Sequence, residues 1–271
     1  MLGKLIKYEF KHTSKTMFTT FVVLAFATLM GSIALYQVDR GTGDKGTFLE
    51  IISAAMLVLY FIAIIGIYCV DFIYLCYHYH KTMYSSQGYL THTLPVSPTA
   101  VFNVKILTAF IWMLASTALS TLSVLILLQA GSGGEFFRAF AEFAWDDFTR
   151  TVKDLFGISA GHLIFICIVT TLLSILWYIM WVAASMAIGQ LFQGSRMGFS
   201  ILAGFCIYMI NQIAGTAYMA VFSYTLNDLL NGNLKPFMNH VIGGSIGISA
   251  VLLVILYVIC IYINIKRLNL E

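Results

Sequence analysis

The residues with the clearest chemical potential form a serine-centred pattern followed by a histidine. The stretch 157–161 reads Gly-Ile-Ser-Ala-Gly, which is the GxSxG nucleophile-elbow pattern, and His162 follows directly. In a serine hydrolase the serine attacks a carbonyl while a histidine, oriented by an acid, takes its proton. Here no strand precedes Ser159 and no acid is placed to orient a histidine, and the same pattern recurs at 243–247. A serine hydrolase is therefore the least favoured of the functions that the sequence suggests.

Histidines and one carboxylate suggest ion binding. His78, His80 and His92 could ligate a metal, but the His-x-His spacing puts the first two rings on different sides of a helix, and no carboxylate or thiol accompanies them. We interpret them as interfacial histidines.

Asp71 is the only carboxylate inside a long apolar segment, a position typical of proton coupling. Counting about 20 residues from Leu49 puts Asp71 at the cytoplasmic edge, where we prefer an interfacial cap or a partner contact.

A third polar feature is the pair Asn211 and Gln212, in the middle of another apolar segment. Such side chains must find partners on a neighbouring helix or face a water-filled path. We predict that this pair marks a transport path or a helix interface and does not face lipid.

These residues must be positioned by membrane helices. The 271 residues are 60% hydrophobic and 10% charged, against about 45–50% apolar and 25% charged in soluble domains. Crossing a membrane takes about 20 mainly apolar residues, and six segments are long enough. We predict an all-α polytopic membrane protein forming one membrane domain over residues 1–271. The predicted spans are Met17–Tyr36, Leu49–Tyr74, Ile106–Ala130, His162–Phe192, Phe199–Tyr224 and Ser245–Ile265.

The distribution of basic residues predicts the orientation. Six spans put both ends on one side, and that side carries nine Lys and Arg residues against six on the other. Four lysines precede the first span, so the positive-inside rule makes both termini cytoplasmic. In residues 1–16, apolar and basic residues lie on opposite helical faces, which predicts an interfacial elbow helix before the chain turns into the membrane. Its key residues are Lys4, Lys7, Phe10 and Lys11.

Two segments are predicted on the outer side. In 131–157, the stretch from Glu135 to Phe156 has phenylalanines at helical spacing opposite charged residues, which predicts one amphipathic helix acting as an interfacial anchor or capping an exit path. Residues 225–244 contain Asn231-Gly232 and Pro236, which predict a broken loop with one or two re-entrant or interfacial turns.

The segment 78–105 joins the second and third spans and is far longer than a minimal connection. It contains too many apolar and aromatic residues for a solvated linker, so we expect it to be ordered against something. Ser85–His92 can form a short helix, Pro95 and Pro98 prevent its continuation, and Ser97–Thr99 can cap the next span. The sequence therefore predicts a short cytoplasmic helix held between two spans.

The stretch "GYLTHTLPVSPTAVFNVKIL" resembles the first cytoplasmic loop of ABC-2 type permeases, the membrane subunits of bacterial ABC exporters. The basic amino-terminal helix, the six spans, the broken outer loop and the short basic tail are similar in layout. Gln87 departs from the pattern, because an acidic residue is expected there. The residues that match the loop motif are Gly88, Tyr89, Leu90, Thr91, Leu94, Pro95, Val96, Ser97 and Lys105.

The resemblance implies that residues 78–105 contain a coupling helix that docks on a separate cytoplasmic ATP-binding subunit through Gly88, Tyr89, Leu90, Thr91, Leu94, Pro95 and Val96. It further implies a second permease subunit, identical or a homologous sister, a bacterial cytoplasmic membrane location, and an amphiphilic cargo such as a peptide antibiotic, a drug or a lipid. The chain lacks a GxxxxGK[ST] motif. It is therefore expected not to bind and hydrolyse ATP in that manner. The resemblance implies that the chain is not an enzyme and binds no cofactor, with ATP and Mg on the partner, and that it contacts lipid but no nucleic acid.

One alternative from another class remains. An ion-coupled secondary transporter or channel would use Asp71 and the Asn211–Gln212 face and would need no ATPase. No internal repeat linking the first three spans with the last three favours it.

Overall fold

The computed structural model describes residues 2–39, 47–85, 87–88, 96–143, 145–192, 194–222 and 234–266. No strand occurs in these ranges. The helices, numbered in chain order, are α1 (Leu2–Asp39), α2 (Thr47–Met83), α3 (Pro98–Gly131), α4 (Phe136–Ala141), α5 (Trp145–Phe156), α6 (Ala160–Gly189), α7 (Arg196–Val221) and α8 (Leu234–Lys266).

Six of these helices are long and apolar enough to cross a membrane, which confirms the all-α class and the six predicted spans. They are Gly3–Gln37, Ile51–Met83, Pro98–Gly131, Ala160–Gly189, Arg196–Val221 and Val241–Lys266. At most 33% of the most apolar stretch of any span is buried within the chain. The remaining apolar surface is suited to contact with lipid tails or another membrane subunit.

The chain forms two compact units. The first consists of Met1–Tyr77 and Ile111–Phe143, and the second of His78–Phe110 and Ala144–Glu271. Two of the three boundaries fall inside α2 and α3, so each of these helices contributes one end to each unit, and the third lies between α4 and α5.

The first unit is held by contacts among α1, α2 and α3. Large side chains such as Met17 and Tyr60 are almost fully buried, and so are hydroxyl residues such as Thr13 and Ser116. In the second unit α6 packs against α7 and α8, and α5 contacts α6 and α8.

The amino-terminal segment differs from the prediction. The expected elbow helix 1–16 is not a separate element, because its described residues form the first part of the continuous helix α1, Leu2–Asp39. At 1.5 Å per residue this helix is about 57 Å long, well beyond the roughly 30 Å of hydrocarbon that a span must cross. No glycine or proline lies between Lys4 and Met30, so nothing in the backbone chemistry enforces a turn where the amphipathic pattern ends.

The segments that were predicted on the outer side also differ from the prediction. The single amphipathic helix expected over Glu135–Phe156 is two helices, α4 and α5. The Glu142 N–H group bonds Arg138 O at the end of α4, and Asp146 and Asp147 lie in the first turn of α5. Carboxylates stabilise a helix amino terminus, so this acidic pair favours a new helix start at Trp145.

The expected broken loop 225–244 is only partly within the described residues. Positions 225–233 lie outside them, whereas 234–244 belong to α8. Pro236 does not break the chain, because it lies in the first turn of α8, where backbone N–H groups have no intrahelical acceptor.

Candidate functional site

The two ends of the segment 78–105 are joined to each other by a buried lysine. Lys105, in the first turns of α3, is 6% exposed. Its Nζ donates a hydrogen bond of 2.7 Å to Oγ1 of Thr82 at the end of α2. A buried ammonium group needs hydrogen-bond acceptors to offset its lost hydration, and here Thr82 provides one. The contact fixes the end of α2 against the start of α3.

Tyr84 ties the same segment to the last helix. Its hydroxyl donates to Oδ1 of Asn264 on α8 at 3.2 Å. The Tyr79 hydroxyl lies 3.4 Å from the Tyr84 hydroxyl. The two tyrosine rings meet edge to face, with centroids 5.7 Å apart. Burial raises the pKa of Tyr84, so its hydroxyl keeps the proton that bonds Asn264. The segment therefore leaves α2 from a buried, hydrogen-bonded anchor.

The second end of the segment also contacts α8. Phe102 is fully buried and its ring centroid lies 5.9 Å from that of Tyr257. The Tyr257 hydroxyl donates to Oδ1 of Asn103 at 3.1 Å. Pro98 begins α3, a position where its missing N–H group costs no hydrogen bond. Both ends of the segment are thus attached to one helix, α8.

Of the predicted coupling residues, the structure describes Gly88 and Val96. Gly88 is helical and buried, and its N–H group donates to Ser85 O at 2.7 Å. A Cβ atom at this position would lie 2.5 Å from Met83 O, a distance that real side chains do not adopt. Glycine is therefore required for the close approach to the end of α2. Val96 is half-buried, and Tyr89, Leu90, Thr91, Leu94 and Pro95 lie outside the described residues.

The basic residues of the amino-terminal segment lie on the surface of α1. Lys4, Lys7 and Lys11 are exposed. Phe10 is half-buried, and its ring centroid lies 5.6 Å from that of Trp112 on α3. The predicted division into an apolar and a basic face is therefore present, and the apolar face packs in part against the protein.

Asp71 lies in a core of hydroxyl groups in the first unit. It is 1% exposed, and Oδ2 accepts a hydrogen bond of 2.6 Å from Ser116 Oγ. The Thr20 side chain also lies beside the carboxyl group, while Oδ1 has no partner among the described residues. The interpretation of Asp71 as an interfacial cap or a partner contact is therefore wrong, because the side chain is enclosed by α1, α2 and α3.

The hydroxyl core continues along α3. Thr28 donates to Leu24 O at 2.7 Å and lies 2.7 Å from Ser123 Oγ, which in turn lies 2.8 Å from the Tyr60 hydroxyl. Because the Thr28 proton is already used, Ser123 donates to Thr28 and accepts from Tyr60. Trp112 Nε1 likewise donates to Thr13 Oγ1 at 2.8 Å. Serines 116, 120 and 123 recur at helical spacing on α3, a signal that the sequence analysis missed.

The second unit contains a cavity of about 220 Å³ among α6, α7 and α8, lined by both polar and apolar side chains. Asn211 lines it, whereas its neighbour Gln212 is exposed and donates to the hydroxyl of Tyr208 on its own helix at 2.7 Å. The two residues therefore have different surroundings. The other polar lining residues are Thr170, Ser174, Trp177, Ser245 and Ser249.

The GxSxG serines have structural roles. Ser159 is the amino-terminal cap of α6, and its Oγ accepts from the His162 N–H group at 3.3 Å. Gly157 before it has φ of 72°, a left-handed conformation that glycine adopts without strain. Ser245 donates to Ile242 O on its own helix at 2.9 Å. Both geometries are those of helix serines and contain no serine–histidine side-chain hydrogen bond.

Comparison of the chain with protein-family models, with curated proteins and with solved structures finds no match.

Proposed function

We propose that the chain is the membrane permease subunit of an ATP-driven exporter of the ABC-2 type, located in a bacterial cytoplasmic membrane with both termini in the cytoplasm. A second permease subunit, identical or a homologous sister, would complete the path for an amphiphilic substrate. Separate cytoplasmic subunits would bind ATP and Mg. The chain itself would perform no chemistry, and its 78–105 segment would receive the motion of the ATPase.

The anchored base of the 78–105 segment is the observation that carries this proposal. A segment that receives mechanical work must be attached firmly to the helices that it moves, since a flexible tether would dissipate the motion. The Lys105–Thr82 hydrogen bond joins its two ends, and the Tyr84–Asn264 hydrogen bond attaches it to α8. Displacement of the loop would therefore act on α2, α3 and α8 together.

The location of the matching motif supports the same function. Gly88 begins the stretch that resembles the permease loop, and it lies three residues after Ser85 in the anchored turn at Tyr84 and Ser85. The close approach of Gly88 to Met83 O holds this residue against the end of α2. Large apolar residues of the motif, Tyr89, Leu90 and Leu94, are the type of side chain that dominates protein–protein contacts.

The test is co-purification of the tagged chain from its native membranes in mild detergent. We expect an ATPase to co-purify, and we expect Tyr89→Ala with Leu94→Asp to reduce its recovery at least tenfold, because a charge would replace an apolar anchor of the proposed interface. A matched control makes the same kinds of change at Phe140→Ala with Leu155→Asp, which are exposed residues of α4 and α5. The control should recover the ATPase like the wild type. A wild-type chain that is recovered alone and without ATPase activity would rule the proposal out.

Asp71 favours a second candidate, an ion-coupled transporter. Its carboxyl group is buried beside the hydroxyls of Thr20 on α1 and Ser116 on α3, and such a group is a recognised type of proton or sodium site. In liposomes that contain the purified chain without ATP, an imposed proton or sodium gradient should then drive substrate flux, and Asp71→Asn should abolish it. Flux that requires ATP and is unchanged by ionophores would exclude this candidate.

A further inference from the structure

The cavity among α6, α7 and α8 is lined in part by side chains with hydrogen-bonding groups, and one of these groups, the indole N–H of Trp177, has no partner among the described residues. It has a volume of about 220 Å³, and its lining residues lie in three helices that are long and apolar enough to cross a membrane. Ligand pockets for whole drug-sized molecules are usually about 300–1,000 Å³. The cavity is thus large enough for a head group and too small for an entire amphiphile.

The hydroxyl groups of the lining serve as acceptors. Thr170 donates to Ile166 O at 2.9 Å, Ser174 to Thr171 O at 2.8 Å, and Ser245 to Ile242 O at 2.9 Å. Each hydroxyl has one proton and two lone pairs. Because these protons are used within the same helix, the oxygen atoms remain available as acceptors for an occupant.

The lining also contains donors. Trp177 Nε1 is buried and has no partner among the described residues, and an indole N–H group can only donate. Asn211, on α7, has an amide group that can donate and accept. A buried donor without an acceptor is costly. The Nε1 atom itself is buried, so a turn of the indole ring towards the cavity that Trp177 lines would let an acceptor oxygen of an occupant relieve that cost.

The charge of the lining restricts the type of occupant. The lining residues are Ser, Thr, Trp, Asn, Leu and Ile, without a charged side chain. An anion would face several acceptor oxygens with no cation to balance it, and a cation would have no carboxylate partner. The complementary group is neutral and has both a donor and an acceptor. A secondary amide is the simplest such group, with its carbonyl towards Trp177 or Asn211 and its N–H towards a hydroxyl oxygen.

The apolar part of the occupant has a route out of the cavity. Leu173 and Ile246 complete the lining, and Ser174 and Ser245 are exposed, so the cavity opens at the surface of the helices. An alkyl chain can extend from this opening into lipid. We propose that the cavity is a binding site for the neutral amide head group of an amphiphile. The placement of this site on a transport path rests on the proposed function. The binding of the amide head group does not.

The test is photolabelling of the purified chain in phosphatidylcholine nanodiscs. The probe is N-dodecylacetamide with a diazirine on the alkyl carbon next to the nitrogen, and two matched probes have trimethylammonium or sulfate head groups. We expect labelling by the amide probe that unmodified N-dodecylacetamide competes away, located by mass spectrometry between residues 166 and 177 or between 242 and 249. The charged probes should label these peptides at least fivefold less.

Variants of the lining residues distinguish hydrogen bonding to the amide head group from simple packing of the probe in the cavity. Asn211→Leu and Trp177→Phe should each reduce the labelling at least fivefold, whereas Asn211→Gln, which keeps the amide, should retain at least half. Gln212→Leu is the matched control on the same helix and should label within twofold of the wild type. Equal labelling by all three probes, equal loss in Asn211→Leu and Asn211→Gln, or unchanged labelling in Asn211→Leu and Trp177→Phe would overturn the proposal.

The outcome is independent of the ATPase experiment. The nanodisc assay contains no partner and no ATP, so failed photolabelling contradicts the amide site and leaves the permease proposal intact. Saturable labelling of a chain that co-purifies with no ATPase would contradict the permease proposal and leave the amide site established.

Discussion

The hydroxyl core of the first unit and the cavity of the second unit use the polar side chains of membrane helices in opposite ways. In the first unit, hydroxyl groups bond to side chains on other helices, as in the pairs Ser116–Asp71 and Ser123–Tyr60, and these side chains are buried. Around the cavity of the second unit, Thr170 and Ser174 bond only their own helix backbone in the contacts described above. Trp177 Nε1 there has no partner among the described residues.

Serine, threonine and other polar side chains therefore have two different roles here: some join helices, and others remain available to a ligand. Lipid tails are as apolar as leucine, so helix association in a membrane depends on close packing and interhelical hydrogen bonds. Side chains that bond across helices therefore stabilise the first unit. Side chains that bond within a helix contribute little to association and leave their remaining capacity for a ligand. Stability measurements can test this division directly.

The largest effect is expected at the Asp71–Ser116 contact. Ser116→Ala removes the hydrogen bond to Oδ2 and should lower the free energy of unfolding by about 1.5–3 kcal/mol, since a buried acceptor loses its donor. Reversible unfolding in mixed detergent micelles measures this change.

The control is Ser32→Ala on α1, where the serine hydroxyl makes an exposed hydrogen bond to its own helix backbone at Leu29 O, and it should cost no more than about 0.5 kcal/mol. In an Asp71→Leu background, Ser116→Ala should also cost little, because the interaction is already absent. Equal losses in both backgrounds would show that Ser116 acts through packing alone.

A smaller effect is expected at Ser123. Its hydroxyl accepts from Tyr60 and donates to Thr28, so Ser123→Ala should lower the free energy of unfolding by about 1 kcal/mol, given the modest strength of interhelical hydrogen bonds in membranes. Thr121→Ala is the matched control, because Thr121 is exposed on the same helix and bonds its own backbone at Thr117 O. If both variants lose the same stability, the hydroxyl core does not join the helices.

The smallest effect on stability is expected in the second unit. Asn211→Leu should change the free energy of unfolding by no more than about 0.5 kcal/mol, because the structure assigns Asn211 to a cavity lining and not to a side-chain contact that holds helices together. The same unfolding assay applies, with Gln212→Leu as the neighbouring control. A loss above about 1 kcal/mol for Asn211→Leu alone would remove the distinction between the hydroxyl core and the cavity lining.

The sequence predicted the spans well and their ends less well. Segments of 20 or more apolar residues have few alternatives to membrane helices, so all six were found. Helix α2, however, extends to Met83 rather than ending near Tyr74, because backbone hydrogen bonding does not stop where hydrophobicity falls. The acidic pair Asp146–Asp147 was a visible signal for the start of α5, but the phenylalanine spacing across Glu135–Phe156 favoured a single helix.

The candidate sites were less predictable. Gly88 and Asn211 could be selected by type, since a glycine in a loop motif and an amide in a span are both unusual. The residues that lie near them in the folded chain could not be selected in this way. Tyr84 and Asn264 are 180 positions apart, and Trp177 and Asn211 approach the same cavity from different helices. No spacing rule in one chain connects residues across such distances.

The sequence alone determined that this chain is all-helical with six candidate spans, because the requirement to satisfy the backbone in lipid admits few other solutions for such apolar segments. It also marked the 78–105 segment as a place where ordered structure was needed. Only the tertiary structure decided which polar residues are enclosed and which face a cavity. Hydropathy depends on residue type, whereas burial and hydrogen bonding depend on which helices pack together, and that choice placed Asp71 in a buried core and Asn211 beside an accessible space.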